Sequence, residues 1–132
     1  MKFVGYLKEH ESGLIKMGVS INDMKLSRSC LFEEYRPGVL NYLEKAPILL
    51  ASLIWLKDTN GGSIGPLIIH TDGYWIWPSY LVYYLNQGYQ SLISEEFIED
   101  IRKANFKVGP LTDEERRNVE IFYSDSYHLK RK

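Results

Sequence analysis

Hydrophobic and polar positions change their spacing several times along the chain, and each change marks an element. Lys2–Lys8 alternates weakly and predicts a first strand. Glu9–Gly13 is a polar turn, and Leu14–Val19 returns as a second strand. Ser27-Arg28-Ser29 reads as a loop. Arg36-Pro37-Gly38 opens a short helix over Pro37–Lys45, because proline at the first helical position has no partnered N–H to lose. Leu40 and Leu43 recur at helical spacing, and Pro47 stops the segment, since the residue before proline avoids the helical region. Ile48–Lys57 is apolar on both alternating sides, which predicts a central strand covered on both faces. Asp58–Ser63 is a loop rich in turn residues.

The sharpest local signal is Leu67–Trp77, two strand-like runs around Asp72-Gly73. Asp-Gly favours a two-residue type I′ hairpin turn, which sets Thr71 opposite Tyr74, His70 opposite Trp75 and Ile69 opposite Ile76. One sheet face then carries Leu67, Ile69, Tyr74 and Ile76, and the other Ile68, His70, Trp75 and Trp77.

Three further helices follow. Ser79–Gln87 ends at Gly88, with Leu81, Val82 and Leu85 as its apolar stripe. Ser94 caps Glu95–Ala104, with Phe97, Ile98 and Ile101 inward and Asn105 suited to a left-handed stop. Thr112-Asp113-Glu114-Glu115 is a capping box that starts a last helix over Asp113–Tyr123. The basic end, residues 129–132, reads as a frayed tail.

Composition narrows the classes. The 132 residues fit one domain with its own core. Sixteen basic against seventeen acidic residues leave a formal charge of −1, which argues against a nucleic-acid binder driven by bulk charge. One cysteine, Cys30, excludes an intramolecular disulfide. The longest apolar run, Ile48–Leu56, falls well short of the roughly 20 residues that cross a bilayer. The N-terminus lacks the pattern of a secretory leader, so the expected location is the cytoplasm.

Catalytic and metal signatures are sparse. His10, His70 and His128 are far apart, and no zinc, phosphate-loop or nucleophile-elbow pattern occurs, so neither metal nor cofactor is expected. His70-Thr71-Asp72, with Asp58 from the preceding loop, is the best acid–base candidate, against the simpler reading that Asp72 serves the turn. Cys30 reads as a small hydrophobe rather than a nucleophile. Glu95, Glu96, Glu99 and Asp100 could face a basic partner, but such residues also suit a helix N-terminus.

Aromatic residues make up 14% of the chain. Tyr80, Tyr83, Tyr84 and Gln87 fall at i, i+3, i+4 and i+7, beside the leucine stripe of their helix. With Asp72 and Tyr74 near the turn they form the candidate partner-binding surface. The competing reading packs the tyrosines beneath another element.

The run T-D-G-x-W-x-W-P-x-x-L-x-Y-Y at Thr71–Tyr84, followed by Glu95-Glu96-Phe97, resembles small bacterial proteins of which some look like immunity proteins of polymorphic toxin or contact-dependent inhibition systems. The resemblance spans Ile68 to about Phe106. It implies a non-enzymatic inhibitor that binds a cognate toxin domain stoichiometrically, and it carries over no catalytic residue. The expected fold is α+β: a small, mainly antiparallel sheet with a central hairpin over 67–77 and three to four packed helices. The alternatives are a protein-interaction or regulatory domain with no toxin partner, and a small-ligand binder or enzyme around His70 and Asp72.

Overall fold

The computed structural model describes residues 1–10, 19–58 and 60–131. The fold is α+β, as expected. Strand β1 (Lys2–Phe3) is followed by helix α1 (Cys30–Lys45), strands β2 (Ile48–Lys57), β3 (Ser63–Thr71) and β4 (Trp75–Pro78), and helices α2 (Tyr80–Asn86), α3 (Glu95–Lys103) and α4 (Asp113–Arg131). The four strands form one sheet in the order β1-β4-β3-β2. β1 runs parallel to β4, and the other two pairings are antiparallel.

The first strand is shorter than its sequence suggests. Gly5 takes φ +80°, which ends β1, and a Cβ there would lie 2.7 Å from Leu81 Cδ1. Among the described residues, the chain beyond it returns as a single bridge between Leu7 and Val19. The rest of the expected second strand lies outside the described residues.

Helix α1 begins seven residues before the proline that was expected to open it. The Ser29 hydroxyl accepts from Phe32 N at 3.1 Å and caps it, and Tyr35 leaves helical geometry at φ −113°, ψ 19°. Pro37 therefore starts the second leg of a kinked helix rather than the helix itself.

The hairpin between β3 and β4 forms, but its register differs from the type I′ expectation by two residues. Thr71 pairs with Ile76, His70 with Trp77 and Ile69 with Pro78. Only Gly73, at φ +100°, has a positive φ in this turn, where type I′ requires two. Side chains build the longer turn. Asp72 Oδ1 accepts from Tyr74 N at 2.9 Å and Trp75 N at 2.7 Å. Thr71 Oγ1 accepts from Gly73 N at 3.0 Å and donates to Trp75 O at 2.9 Å. A two-residue slip preserves which strand residues share a face, so only Tyr74 leaves its expected position.

The two faces are covered differently. On one, Trp75 stacks on Phe97 of α3 at 4.7 Å, Trp77 packs tilted against the same ring at 5.1 Å, and Tyr42 of α1 stacks on Trp77 at 6.1 Å. Both indoles are satisfied, Trp77 by Leu43 O at 3.1 Å and Trp75 by Asp100 Oδ2 at 2.9 Å. On the other, Phe3, the register partner of Ile76, stacks at 5.3 Å on Phe122 of α4, beside the fully buried Val119.

The expected caps are in place. Ser94 Oγ accepts from Phe97 N at 3.2 Å. Thr112 and Glu115 exchange bonds, Glu115 N to Thr112 Oγ1 at 3.1 Å and Thr112 N to Glu115 Oε1 at 3.0 Å. Asn105 stops α3 at φ 57°. Helix α4 continues past Tyr123 to Arg131. No helix of the described residues is long and apolar enough to cross a membrane.

Strand β2 departs furthest from expectation. It lies at the edge of the sheet, paired only with β3, not at its centre. Of its ten residues only Leu56 is buried. Periodicity registers that both sides of the strand are apolar, but it carries no information on whether another strand arrives beyond it. Here the fourth strand, β1, joins the opposite edge.

Candidate binding surface

The tyrosine stripe of α2 is divided. Tyr80 and Tyr84 are buried and belong to the core. The backbone N–H of Leu7 donates to the Tyr80 hydroxyl at 2.9 Å, and His10 Nε2 lies 2.6 Å from the Tyr84 hydroxyl. The segment from Val4 to His10 thus covers the face that looked unclaimed when only the leucines were counted as core. Burial pushes the Tyr84 phenol up to about 12 and holds the His10 imidazole below its ordinary value.

Tyr83 is half-buried, and its hydroxyl donates to Asp58 Oδ2. Asp58 Oδ1 accepts from Asn60 N and Gly62 N, each at 2.8 Å. The Tyr83 bond, with those amides, lowers the Asp58 carboxyl. Gln87 and Tyr74 are exposed. Of the six residues of the expected surface, Tyr74 and Gln87 are therefore exposed and Asp72 and Tyr83 half-buried, but they do not form one stripe.

The acid–base candidates have separate partners. His70 is buried, stacks on Trp77 at 6.1 Å, and lies with Nδ1 3.1 Å from Ala46 O. A carbonyl only accepts, so Nδ1 carries the proton, and burial holds the ring below its ordinary pKa. Asp72 uses one carboxylate oxygen for the turn amides and the other to accept from Tyr42 Oη at 2.8 Å. Burial first, then the Asp72 charge, pushes the Tyr42 phenol up. Asp72 therefore ties the turn to α1, and Asp58 ties its loop to α2.

His70 and Tyr83 do share a cleft of about 350 Å³ with Ile64, Ile68 and Trp77. Another, of about 680 Å³, lies along β1, where Lys2 Nζ donates to Glu96 Oε1 at 2.7 Å. The acidic run of α3 is largely engaged: Glu96 with Lys2, Glu99 with Arg102 at 3.6 Å, and Asp100 with the Trp75 indole. Cys30 is exposed at the start of α1. No group of three His, Cys, Asp or Glu among the described residues could hold a metal ion.

The residues that the sequence reading assigned to the core, and that the fold leaves in water, are those of β2. Leu53 is 105% exposed and Trp55 61%, with Ile48, Leu50 and Ile54 also exposed. Ala51 pairs with Ile68 and Trp55 with Pro66, so Ser52, Leu53 and Ile54 bulge opposite Leu67. Ser52 Oγ accepts from Ile54 N at 3.1 Å, satisfying the bulge internally and leaving Leu53 at its apex. The Trp55 indole donates to Ser63 Oγ at 2.6 Å, which fixes the ring on the surface. Lys57, at the end of β2, is its only charged residue.

An edge strand is a ready template for another chain, and proteins that stay monomeric usually protect it with charge, proline or a short length. β2 has a bulge but none of the other devices. No protein-family model, curated protein or solved structure matches the chain.

Proposed function

We propose that this protein works by binding another protein through β2, as a bacterial immunity protein that neutralises a cognate toxin by stoichiometric contact. The observation that carries the binding reading is the ten-residue edge strand, uncharged from Ile48 to Leu56, with Leu53 and Trp55 held outward at its middle. A rigid aromatic ring beside a projecting aliphatic side chain is the usual composition of an interface anchor. The toxin as partner is supported by the resemblance of the Thr71–Tyr84 run to immunity proteins. That run supplies the turn, the stacked tryptophans and the start of α2, so its task in this reading is to build the scaffold on which β2 is displayed.

The test is capture of the tagged protein's partner from its native cells, followed by reconstitution. Recovery of a toxin domain that forms a 1:1 complex and loses its activity on binding is the expected result. Leu53→Asp should weaken that complex by about 2 kcal/mol or more, the scale of a central hot spot, because it places a carboxylate in a dry contact. A complex indifferent to Leu53→Asp would move the surface elsewhere, and absence of any complex with the toxin expressed would end the immunity reading.

A further inference from the structure

We infer that, with no partner bound, a second copy of this chain covers β2, so the free protein rests as a two-fold dimer closed at that edge. The inference rests on the reading of β2 as the binding strand and adds how that strand is held between encounters. Charge supports it first. In an antiparallel two-fold contact residue 57 of one copy meets residue 48 of the other, so Lys57 never faces itself. At that end Lys57 and Asp58 approach Arg116, whose Nη1 donates to Ile48 O at 3.3 Å, and its neighbour Glu120 at 4.0 Å. Each side brings one cation and one anion, and nothing charged lies between the two ends.

Area supports it next. A ten-residue strand runs about 33 Å, so a contact only about 25 Å across reaches the roughly 800 Å² per partner of a stable interface. The mid-point of Ile48–Lys57 falls between Ser52 and Leu53, which brings the two Leu53 side chains beside the axis. Because the bulge has already used the Ile54 amide, the centre of this contact is side chain against side chain rather than a continuous ladder. Topology then limits the association to two copies. The opposite edge, β1, has two residues, and its Lys2 is tied to Glu96, so the sheet has one edge long enough to pair and the contact closes on itself. Partner and second copy need the same residues and exclude one another, so binding a partner exchanges the dimer for a 1:1 complex.

The test is sedimentation equilibrium of the full chain alone, from about 1 µM to about 100 µM, which covers the weaker affinities shown by interfaces of this size. The expected mass is twice the 15.4 kDa of the chain, falling towards 15.4 kDa on dilution. Leu53→Asp should weaken self-association at least about tenfold. Leu26→Asp, on the exposed loop before α1, should leave it unchanged. In a Cys30→Ser background, Leu53→Cys should cross-link to a covalent dimer under mild oxidation and Leu26→Cys should not, a readout that survives any effect of the aspartate on folding. A monomer at every concentration, a dimer indifferent to Leu53→Asp, or species growing beyond two copies would each overturn the inference. A monomeric wild type that still captures a partner through Leu53 would overturn the dimer and leave the binding reading standing. A Leu53-dependent dimer that captures none would do the reverse.

Discussion

Replacing Asp72 by alanine separates a structural role from a contact role at the residue where the two were hardest to tell apart. The carboxylate accepts three hydrogen bonds: from Tyr42 Oη at 2.8 Å, Tyr74 N at 2.9 Å and Trp75 N at 2.7 Å. Tyr42 is buried, so its hydroxyl would be left without a partner and without water, at about 1–3 kcal/mol. The two turn amides are nearer solvent and can rehydrate, so their loss contributes roughly 0.5–1.5 kcal/mol each. The sum is about 4 kcal/mol, large against a typical total stability of about 5–15 kcal/mol. Asp72→Asn keeps an acceptor for the turn and should lose about 1 kcal/mol, and Tyr42→Phe a similar amount. A double-mutant cycle of Tyr42→Phe with Asp72→Ala, followed by urea unfolding, isolates the shared bond, since the hydroxyl can be lost only once. If Asp72→Ala cost under about 1 kcal/mol while abolishing partner binding, the anchoring argument would fail and Asp72 would be a contact residue.

Three other outcomes follow from the geometry. Tyr83→Ala removes a half-buried ring and its hydrogen bond to Asp58, and should cost about 1–2 kcal/mol in urea unfolding while leaving binding through β2 nearly unchanged; a loss of partner binding on the hot-spot scale would return the surface to α2. Gly38→Ala places a Cβ 2.6 Å from Phe106 Cδ1, and should destabilise by about 1–3 kcal/mol in thermal melts, because the ring is held between α1 and the left-handed end of α3. Burial lowers both His10 and His70, so the unfolded chain binds their protons more readily; stability should be full above pH 6.5 and fall as pH drops below it towards the folded-state values. His10→Gln with His70→Gln should flatten that slope, whereas a slope unchanged by both would assign it to other groups.

The parts of the fold legible in the sequence are those decided within a few residues. Ser94, Thr112 with Glu115, and Asn105 act on amides and carbonyls of their own helix, so spacing alone locates them. The hairpin was legible for the same reason, and its register was missed because the Asp72 side chain competed with the backbone for the turn amides. The start of α1 was missed because a strong local signal, Pro37, also suits a kink, and the Ser29 cap lies about two turns before it.

Two residues of the candidate surface, Tyr80 and Tyr84, lie in the core for a reason of another kind. Helical periodicity sorts residues into faces but does not say which distant segment covers each face. Tyr80 and Tyr84 became core because Val4–His10 crosses α2, and β2 became exposed because β1 joined beside β4. Both outcomes depend on where one short N-terminal strand docks, a contact spanning more than seventy positions in the chain. Had those two residues paired beyond β2, the strand would no longer form an edge there, although its side chains would still need a layer packed over the sheet face to be buried. The same sequence pattern is thus compatible with a core strand or an exposed edge strand, and the docking of Lys2 and Phe3 beside β4 leaves it at the edge. A function carried by exposed apolar residues is for this reason written less in those residues than in the ones that fail to cover them.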